Sequence, residues 1–300
     1  MSKFFQALER AAQEQALRHP TAPSEPTSVP VPAIPAPASY RAPQPFVEPP
    51  DGVSNGLEEH LVSLLAPTSF AAEQYRTLRH LIEQLHKSAE LSVIAVSSPA
   101  VADGKTTTAI NLAGALAQAP DARVLLVDAD LRGAALATNL GLDERAGPGL
   151  VDAILDTNLT FEAVVHVHPH LNLSVLAAGR VPSAPYEVLK SPRLGELLTE
   201  ARRRYDYIVL DTPPLVSFPD CRVIEKWIDG LLIVVAAHRT ARKLFEEALN
   251  VTELAKIVGL VFNGDDRHLS RGSYASTRYA KRNGDGWRRR AGRRQTASDD

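Results

Sequence analysis

Short apolar runs rich in β-branched residues recur through the middle of the chain, and each is followed by a helical or loop stretch. There are six of them, at residues 91–97, 123–128, 172–177, 206–211, 230–237 and 257–262. Near-continuous apolar strands that alternate with helices are typical of a mostly parallel sheet with helices on both faces. The pattern therefore predicts a single α/β domain over residues 56–266, because no internal repeat divides this stretch.

Two helices are predicted ahead of the first strand, at residues 57–65 and 68–87. We expect the second helix to begin with Thr68 or Ser69 as its N-cap, directly after Pro67. A hydroxyl side chain at that position accepts a hydrogen bond from a backbone N–H group of the first turn.

The first 55 residues have a different composition. Apolar residues recur at helical spacing within residues 1–19, which predicts an amphipathic helix. Eleven of the 22 prolines lie between residues 20 and 50, which predicts a disordered proline-rich linker over residues 20–55. An isolated helix this short is marginal in water. We therefore expect the helix either to pack on the domain or to recruit a partner.

Cysteine content and hydropathy indicate a cytoplasmic protein. Cys221 is the single cysteine, which excludes an internal disulfide framework and a cysteine-based zinc site. The longest purely apolar run covers residues 231–237, far short of the roughly 20 residues that a membrane-spanning helix needs. The first residues also lack the long apolar stretch of a secretory signal.

The nearly neutral total charge is the sum of an acidic body and a basic tail. Residues 267–300 hold ten Lys or Arg and three Asp, a charge of +7, so the total of -2 leaves -9 for residues 1–266. We predict that this tail is flexible. A basic tail can meet nucleic acid, an anionic membrane or the acidic body of a neighbouring chain, and it can also be a solvated segment without a partner.

The first strand leads into a phosphate-binding loop. Gly104, Lys105 and Thr106 lie at the junction of this strand with a predicted helix, which is the context that such a loop requires. Backbone N–H groups and the positive end of the helix attract phosphate oxygens, Lys105 neutralises the β- and γ-phosphates, and the Thr106 hydroxyl can bind Mg²⁺.

Three aspartates follow the ends of two other predicted strands. Asp128 and Asp130 occupy alternate positions at the end of the second strand, and Asp211 ends the fourth. In a doubly wound sheet all three would lie at the carboxyl edge, where ligands bind. Acidic groups beside a triphosphate require a hard cation, so we assign Asp211 to Mg²⁺ through water. Of Asp128 and Asp130, one is expected to assist the metal and the other to accept a proton from an attacking hydroxyl.

Three segments resemble the Walker A, A′ and B motifs of bacterial tyrosine kinases, the autokinases of capsule and exopolysaccharide synthesis. They are residues 103–113, 125–132 and 209–214. The resemblance implies a P-loop NTPase-like fold and an ATP- and Mg²⁺-dependent protein-tyrosine autokinase. It implies catalytic roles for Lys105, Asp128 and Asp130. The implied metal ligands are Thr106, Asp128, Asp130 and Asp211, and the implied ATP contacts are Ala102, Asp103, Gly104, Lys105, Thr106, Thr107 and Asn263.

The roles of Asn263 and Ala102 are left open by the sequence. An asparagine at the strand end of Asn263 commonly contacts adenine in this fold, but beside Gly264 it could equally be a turn residue. Ala102 stands where the family commonly has glycine, and its Cβ could hinder the approach of phosphate to the backbone.

The second predicted helix contains three charged residues at a spacing of three, Glu73, Arg76 and Arg79. They match a Glu-x-x-Arg-x-x-Arg sequence that the family uses for contacts in a ring-like homo-oligomer. The alternative is that these residues form intrahelical salt bridges on a wet surface. In such a ring, tail tyrosines would be phosphorylated in trans by the next subunit. Tyr274 and Tyr279 are the candidate acceptors in this tail.

The resemblance also implies a separate membrane protein, a chain-length regulator that activates the kinase and recruits it to the inner face of the cytoplasmic membrane. An anionic membrane surface is a possible further partner, and nucleic acid is not expected. Two other functions stay open: an ATPase switch like the partitioning and septum-site ATPases, and a nucleotide-binding scaffold without phosphoryl transfer. The first usually carries a further lysine in its loop, where this chain has Ala100.

Two other groups of residues suggest chemistry, but we assign none to them. His166, His168 and His170 alternate in a predicted surface turn around Pro169, without an acidic or cysteine partner. Cys221 has no base beside it in the sequence.

Overall fold

The computed structural model describes residues 57–142, 147–169 and 171–265. The predicted N-terminal helix, the proline-rich linker, and the tail with Tyr274 and Tyr279 lie outside the described residues. The domain boundaries therefore stay predictions.

A seven-stranded sheet forms the centre of the molecule, in the order β3-β4-β2-β5-β1-β6-β7. All neighbouring strands run parallel except β3, which pairs antiparallel with β4 at one edge. The strands are β1 Val93–Ser97, β2 Val124–Asp128, β3 His166–Val167, β4 Ser174–Leu176, β5 Tyr207–Asp211, β6 Gly230–Ala236 and β7 Ile257–Asn263. The six predicted strands are confirmed, and so is the mostly parallel sheet.

Helices cover both faces of this sheet. They are α1 Val62–Leu65, α2 Phe70–Ala89, α3 Lys105–Ala117, α4 Leu136–Asn139, α5 Leu150–Leu155, α6 Phe161–Val164, α7 Pro185–Lys190, α8 Pro192–Arg202, α9 Asp220–Ile224 and α10 Arg242–Asn250, with short 3-10 helices at Glu225–Trp227 and Leu254–Lys256. No helix of the described ranges combines the length and apolar character that crossing a membrane requires.

Side chains of the central strands point alternately to the two faces of the sheet, and this divides the core into two layers. In β1, Val93 and Ala95 pack with α5 to α10, whereas Ile94 and Val96 pack with α1 to α4. Both sides of the strand are buried, because successive side chains of a strand point to opposite faces. This explains why the strands are continuous apolar runs in the sequence.

The structure corrects one of the two helices that precede β1. The second is confirmed, with Ser69 as its N-cap accepting a hydrogen bond from the Ala72 N–H. The first is four residues long rather than nine, because Leu57 pairs in an isolated antiparallel bridge with Leu140. That bridge holds the chain in an extended conformation where apolar spacing predicted a helix.

The histidine segment is also different from the prediction. His166 forms part of β3, and His168 is buried, with its Nε2 atom 3.2 Å from the Leu140 carbonyl oxygen. The prediction of a surface residue is thus confirmed for His166, which is exposed but lies in a strand rather than a turn, and it was wrong for the buried His168. His170 lies outside the described residues.

Candidate active site at the carboxyl edge of the sheet

The loop between β1 and α3 contains two residues in the left-handed region. Gly104 has φ +95° and Ala102 has φ +64°. Glycine adopts such a conformation freely, whereas an L-residue with a Cβ is strained there by about 1–2 kcal/mol. The sequence identified Ala102 as unusual for its Cβ, and the structure adds that its backbone is strained.

The Asp103 side chain turns into the protein and does not face the open side of the loop. It is buried, its Oδ2 accepts a hydrogen bond from the Ala100 N–H at 2.9 Å, and its Oδ1 accepts one from the Thr240 hydroxyl at 2.8 Å. The Asp103 side chain therefore has its partners within the chain, and contact of Asp103 with ATP stays a prediction.

Lys105 begins α3 and lies among acidic groups. Its Nζ donates to Asp130 Oδ2 at 2.6 Å and lies 3.8 Å from Asp211 Oδ1. Burial opposes the charge on Lys105, but Asp211 and Asp130 hold the pKa of its ammonium group above the usual value. The structure thus brings the predicted lysine and two of the predicted aspartates into one ion-pair cluster.

Thr106 and Asp211 form a pair that fits a divalent cation. The Thr106 hydroxyl donates to Asp211 Oδ2 at 2.6 Å, while the buried Asp211 Oδ1 has no hydrogen-bond partner. Burial raises the pKa of Asp211, although Lys105 works against that shift. Magnesium in phosphoryl-transfer sites takes one or two carboxylates together with phosphate oxygens and water, and a hydroxyl beside a bare carboxylate oxygen fits that chemistry. No cluster of three or more His, Cys, Asp or Glu suited to a metal ion occurs in the described ranges.

Asp128 lies directly opposite Asp211 in the pairing of β2 with β5. Its two oxygens accept hydrogen bonds from the backbone N–H groups of Asp130 and Leu136, at 3.2 and 3.3 Å. Burial and the charge of Asp211 raise the pKa of the Asp128 carboxyl well above its usual range. The three predicted aspartates therefore share one buried edge, as the spacing and the parallel sheet predicted.

The ion pair between Arg132 and Asp220 was not predicted from the sequence. Arg132 Nε donates to Asp220 Oδ2 at 2.6 Å and Nη2 donates to Oδ1 at 3.2 Å, and the guanidinium lies 4.3 Å from the centre of the Phe218 ring. Hydrogen bonding to Asp220 raises the pKa of the guanidinium. The pair joins the segment after β2 to the segment after β5. In the sequence, the one sign of this ion pair is the arginine that follows Asp128 and Asp130.

Asn263 ends β7 beside the phosphate loop. Its Nδ2 donates to the Asp103 carbonyl oxygen at 3.0 Å, and a Cβ at Gly104 would come within 2.0 Å of that nitrogen. Gly104 is thus required for space as well as for its backbone conformation. Contact of Asn263 with adenine stays a prediction.

Thr107 was a predicted ATP contact, whereas no chemistry was assigned to Cys221. Thr107 lies in the first turn of α3. The Cys221 thiol is buried among Ser97, Thr212 and Pro213, and burial raises its pKa to about 11. A thiol with that pKa is protonated at neutral pH and is a poor nucleophile.

The predicted interface residues lie on α2 and already have partners within the chain. Glu73 and Arg76 form an ion pair, and Arg76 also donates to the Pro67 carbonyl oxygen at 2.7 Å. Arg79 Nε donates to Glu83 at 2.6 Å, and its Nη1 reaches the Ala115 carbonyl oxygen of α3 at 3.1 Å. The intrahelical ion pair is therefore present, and the intersubunit role stays a prediction.

Comparisons with known proteins point to one group. The AAA domain family AAA_31 matches residues 91–256. The tyrosine-protein kinase YwqD of Bacillus subtilis is 30% identical over 224 residues, which are 73% of this chain and 93% of that protein. The succinoglycan biosynthesis transport protein ExoP of Rhizobium meliloti is 32% identical over 206 residues, which are 67% of this chain and 26% of ExoP. The chain thus spans almost all of one relative and about a quarter of the other.

A solved structure has the same architecture. The kinase domain of the Escherichia coli tyrosine kinase ETK superposes with a TM-score of 0.63 at 26% identity, covering 69% of this chain and 81% of that chain. The phosphate loop, the aspartate pair after β2 and the aspartate at the end of β5 all lie within the matched AAA domain.

Proposed function

Because the chain belongs to the AAA domain family and to the bacterial tyrosine-protein kinases, we propose that it is an ATP-dependent protein-tyrosine autokinase that regulates exopolysaccharide or capsule synthesis or export. One observation carries this proposal. Lys105, Thr106, Asp130 and Asp211 converge at the carboxyl edge of the sheet, with the buried Asp211 Oδ1 left without a hydrogen-bond partner.

The proposed reaction is in-line transfer of the γ-phosphoryl group of ATP to a tyrosine hydroxyl. A bond forms between the tyrosine oxygen and the γ-phosphorus, the bond from that phosphorus to the ADP oxygen breaks, and the hydroxyl proton passes to a carboxylate. Lys105 neutralises charge on the β- and γ-phosphates, and the backbone N–H groups of residues 102–107 bind phosphate oxygens. Most of the catalysis in such a transfer comes from positioning and charge neutralisation.

Thr106 and Asp211, with Asp128 or Asp130, are the residues that would hold Mg²⁺. When bound, the ion supplies charge neutralisation and orientation for the phosphates. The remaining aspartate of the pair is the proposed proton acceptor. Asp128→Asn and Asp130→Asn separate the two roles, because loss of the proton acceptor should lower kcat while the apparent Mg²⁺ affinity stays unchanged.

The assay is incubation of the full chain with labelled ATP and Mg²⁺. We expect label on Tyr274 or Tyr279 that is lost in Lys105→Ala and kept in Lys243→Ala, a control at an exposed lysine of α10. Label released only as free phosphate would indicate an ATPase switch instead. Nucleotide binding without turnover would indicate a scaffold.

Transfer in trans is tested by mixing two variants. One chain carries Lys105→Ala as acceptor, and the other carries Tyr274→Phe with Tyr279→Phe as enzyme. Label on the Lys105→Ala chain supports transfer between subunits. An unlabelled mixture, together with an active wild type, would show that transfer occurs within one chain.

We propose a ring-like homo-oligomer with Glu73, Arg76 and Arg79 at its interface. Glu73 and Arg76 keep 54% and 38% of their side-chain surface exposed, which supports contacts beyond their own ion pair. Arg76→Ala with Arg79→Ala should sediment as a monomer. Arg242→Ala, which removes another exposed helical ion pair, should leave the oligomer unchanged. If both sediment as the wild type does, the proposed interface is wrong.

The proposed partner is a separate membrane protein that regulates chain length and recruits the kinase to the inner face of the cytoplasmic membrane. The relative ExoP, named for polysaccharide transport, supports a place in such a system. The basic tail supports a further contact with anionic lipid, because clustered Lys and Arg are attracted to that leaflet. Co-sedimentation with vesicles of anionic and of neutral lipid tests the second contact.

A further inference from the structure

The segment between β6 and α10 reaches across to the phosphate loop. Arg239 donates to the Ala102 carbonyl oxygen, and the adjacent Thr240 donates to Asp103 Oδ1 at 2.8 Å. The Thr240 hydroxyl also accepts a hydrogen bond from the Ala236 N–H at 3.0 Å, at the end of β6. One hydroxyl therefore ties the end of a central strand to the loop.

Asp103 receives these contacts in a buried position. The residue is 2% exposed. Its carboxylate accepts from Ala100 of the loop itself and from Thr240 after β6, and its backbone carbonyl oxygen accepts from Asn263 at the end of β7. The last two partners are 137 and 160 residues away along the chain. The Asp103 carboxylate is therefore held at both oxygens, because losing either donor leaves a buried acceptor without compensation.

The loop has a physical need for such restraint. Two of its residues, Ala102 and Gly104, have positive φ within a span of three residues. Ala102 opposes that conformation and Gly104 does not enforce it, since glycine populates many others. The local sequence alone therefore leaves the loop free to relax away from the conformation that presents its N–H groups to phosphate.

We propose that Thr240 is a positioning residue, which acts through Asp103 to hold the phosphate loop in its nucleotide-binding conformation before the nucleotide binds. This inference rests on the proposed function, in that the loop binds a nucleoside triphosphate. A preformed loop has less conformational entropy to lose on binding, so the effect falls on affinity. Once ATP is bound the phosphates order the loop themselves, so the rate of transfer changes little.

The test compares two substitutions at one position. Thr240→Val keeps the shape and removes the hydroxyl, whereas Thr240→Ser keeps the hydroxyl. Thr252→Val is the matched control, because Thr252 is a buried threonine whose hydroxyl donates to the Ala248 carbonyl oxygen at the end of α10. Both valine variants lose the hydrogen bond that the threonine hydroxyl donates, part-buried at Thr240 and buried at Thr252, and only the first of those bonds reaches the phosphate loop.

The first measurement is titration of each protein with a fluorescent ATP analogue, followed by kcat and KM for ATP. We expect Thr240→Val to weaken binding and raise KM by about ten-fold, the loss of one hydrogen bond to a charged group, with kcat within about two-fold of the wild type. Thr240→Ser should restore affinity, and Thr252→Val should change only thermal stability. Equal affinity in Thr240→Val and wild type would overturn the inference.

The second measurement needs no nucleotide. Hydrogen exchange of the amides of residues 100–104 should be faster in Thr240→Val than in wild type, Thr240→Ser or Thr252→Val. Should the wild type bind no nucleotide, the proposed function fails while this comparison still decides whether Thr240 orders the loop. Unchanged exchange in Thr240→Val would contradict the positioning role.

Discussion

Replacing Arg132 with methionine should destabilise the protein more than replacing Asp220 with asparagine, although both changes break the same ion pair. The two partners differ in burial. The Asp220 side chain is fully buried, whereas 30% of the Arg132 side-chain surface is exposed. The methionine variant leaves a carboxylate without its cation in the interior, while the asparagine variant leaves a cation that water still reaches.

The expected magnitudes follow from that difference. Removing one partner of a buried pair and stranding the other charge costs about 3–5 kcal/mol, which we expect for Arg132→Met. Asp220→Asn keeps an oxygen acceptor near Arg132 and should cost about 1–2 kcal/mol. Each kcal/mol lowers Tm by roughly 2–4 °C in a domain of 150–250 residues. The double variant should recover at least ~2 kcal/mol relative to the sum of the single changes.

The assay is urea unfolding of the wild type, the two single variants and the double variant at neutral pH, with the free energy of unfolding extrapolated to zero urea. Arg123→Met is a suitable control, because Arg123 pairs with Asp206 on the surface and 55% of its side chain is exposed. That variant should lose less than about 1 kcal/mol. The reasoning is refuted if Arg132→Met loses no more than Asp220→Asn, or if the two changes are additive.

Three further changes test other parts of the structure. Ala102→Gly should raise the free energy of unfolding by up to about 1 kcal/mol, because it relieves a positive φ. The control Ala100→Gly should lower that free energy. Urea unfolding that shows no gain for Ala102→Gly would contradict the strain at Ala102. Gly195→Ala should lower the free energy of unfolding by about 1–3 kcal/mol in the same assay, because its Cβ would come within 2.4 Å of the Trp227 ring. Gly133→Ala, whose Cβ would lie 3.7 Å from its nearest atom, should leave that free energy unchanged. Burial works to raise the pKa of Asp229, but hydrogen bonds from Arg202 and from the Val93 and Ser92 N–H groups hold it below the model-peptide value of 3.8. Its stabilisation is thus fully present above pH 3.8 and is lost as the pH falls through the lower folded-state pKa. The stability difference between wild type and Asp229→Asn should therefore shrink as the pH falls below 3.8, and a constant difference would argue against this.

The elements that the sequence predicted well are those whose signal is local. Strand β1 is an uninterrupted apolar run because both of its faces are buried, and the Ser69 cap follows from one hydroxyl at a helix start. The predictions failed where a distant segment determines the local conformation. Leu57 is extended because it pairs with Leu140, and β3 exists because β4 offers an edge to its two residues.

The candidate site divides in the same way. Lys105, Asp128 and Asp211 could be identified because each belongs to a short segment with fixed spacing at the end of a strand, and parallel strands bring such ends to one edge. Membership of the tyrosine-kinase family confirms the resemblance drawn from those segments. Nothing local marked Asp220 or Thr240, since their partners lie 88 and 137 residues away.

The α/β architecture, the phosphate loop and the acidic strand ends could be read from the chain alone, because hydrophobic alternation and short spacings act between near neighbours. How those parts are held depends on contacts between distant segments. The tertiary structure turned Asp103 inward to Thr240 and placed Asn263 against the loop. It also left Asp211 Oδ1 bare beside Lys105. Contacts of this kind depend on which strands become neighbours in the sheet, and the order of the strands in the sheet is not their order in the chain.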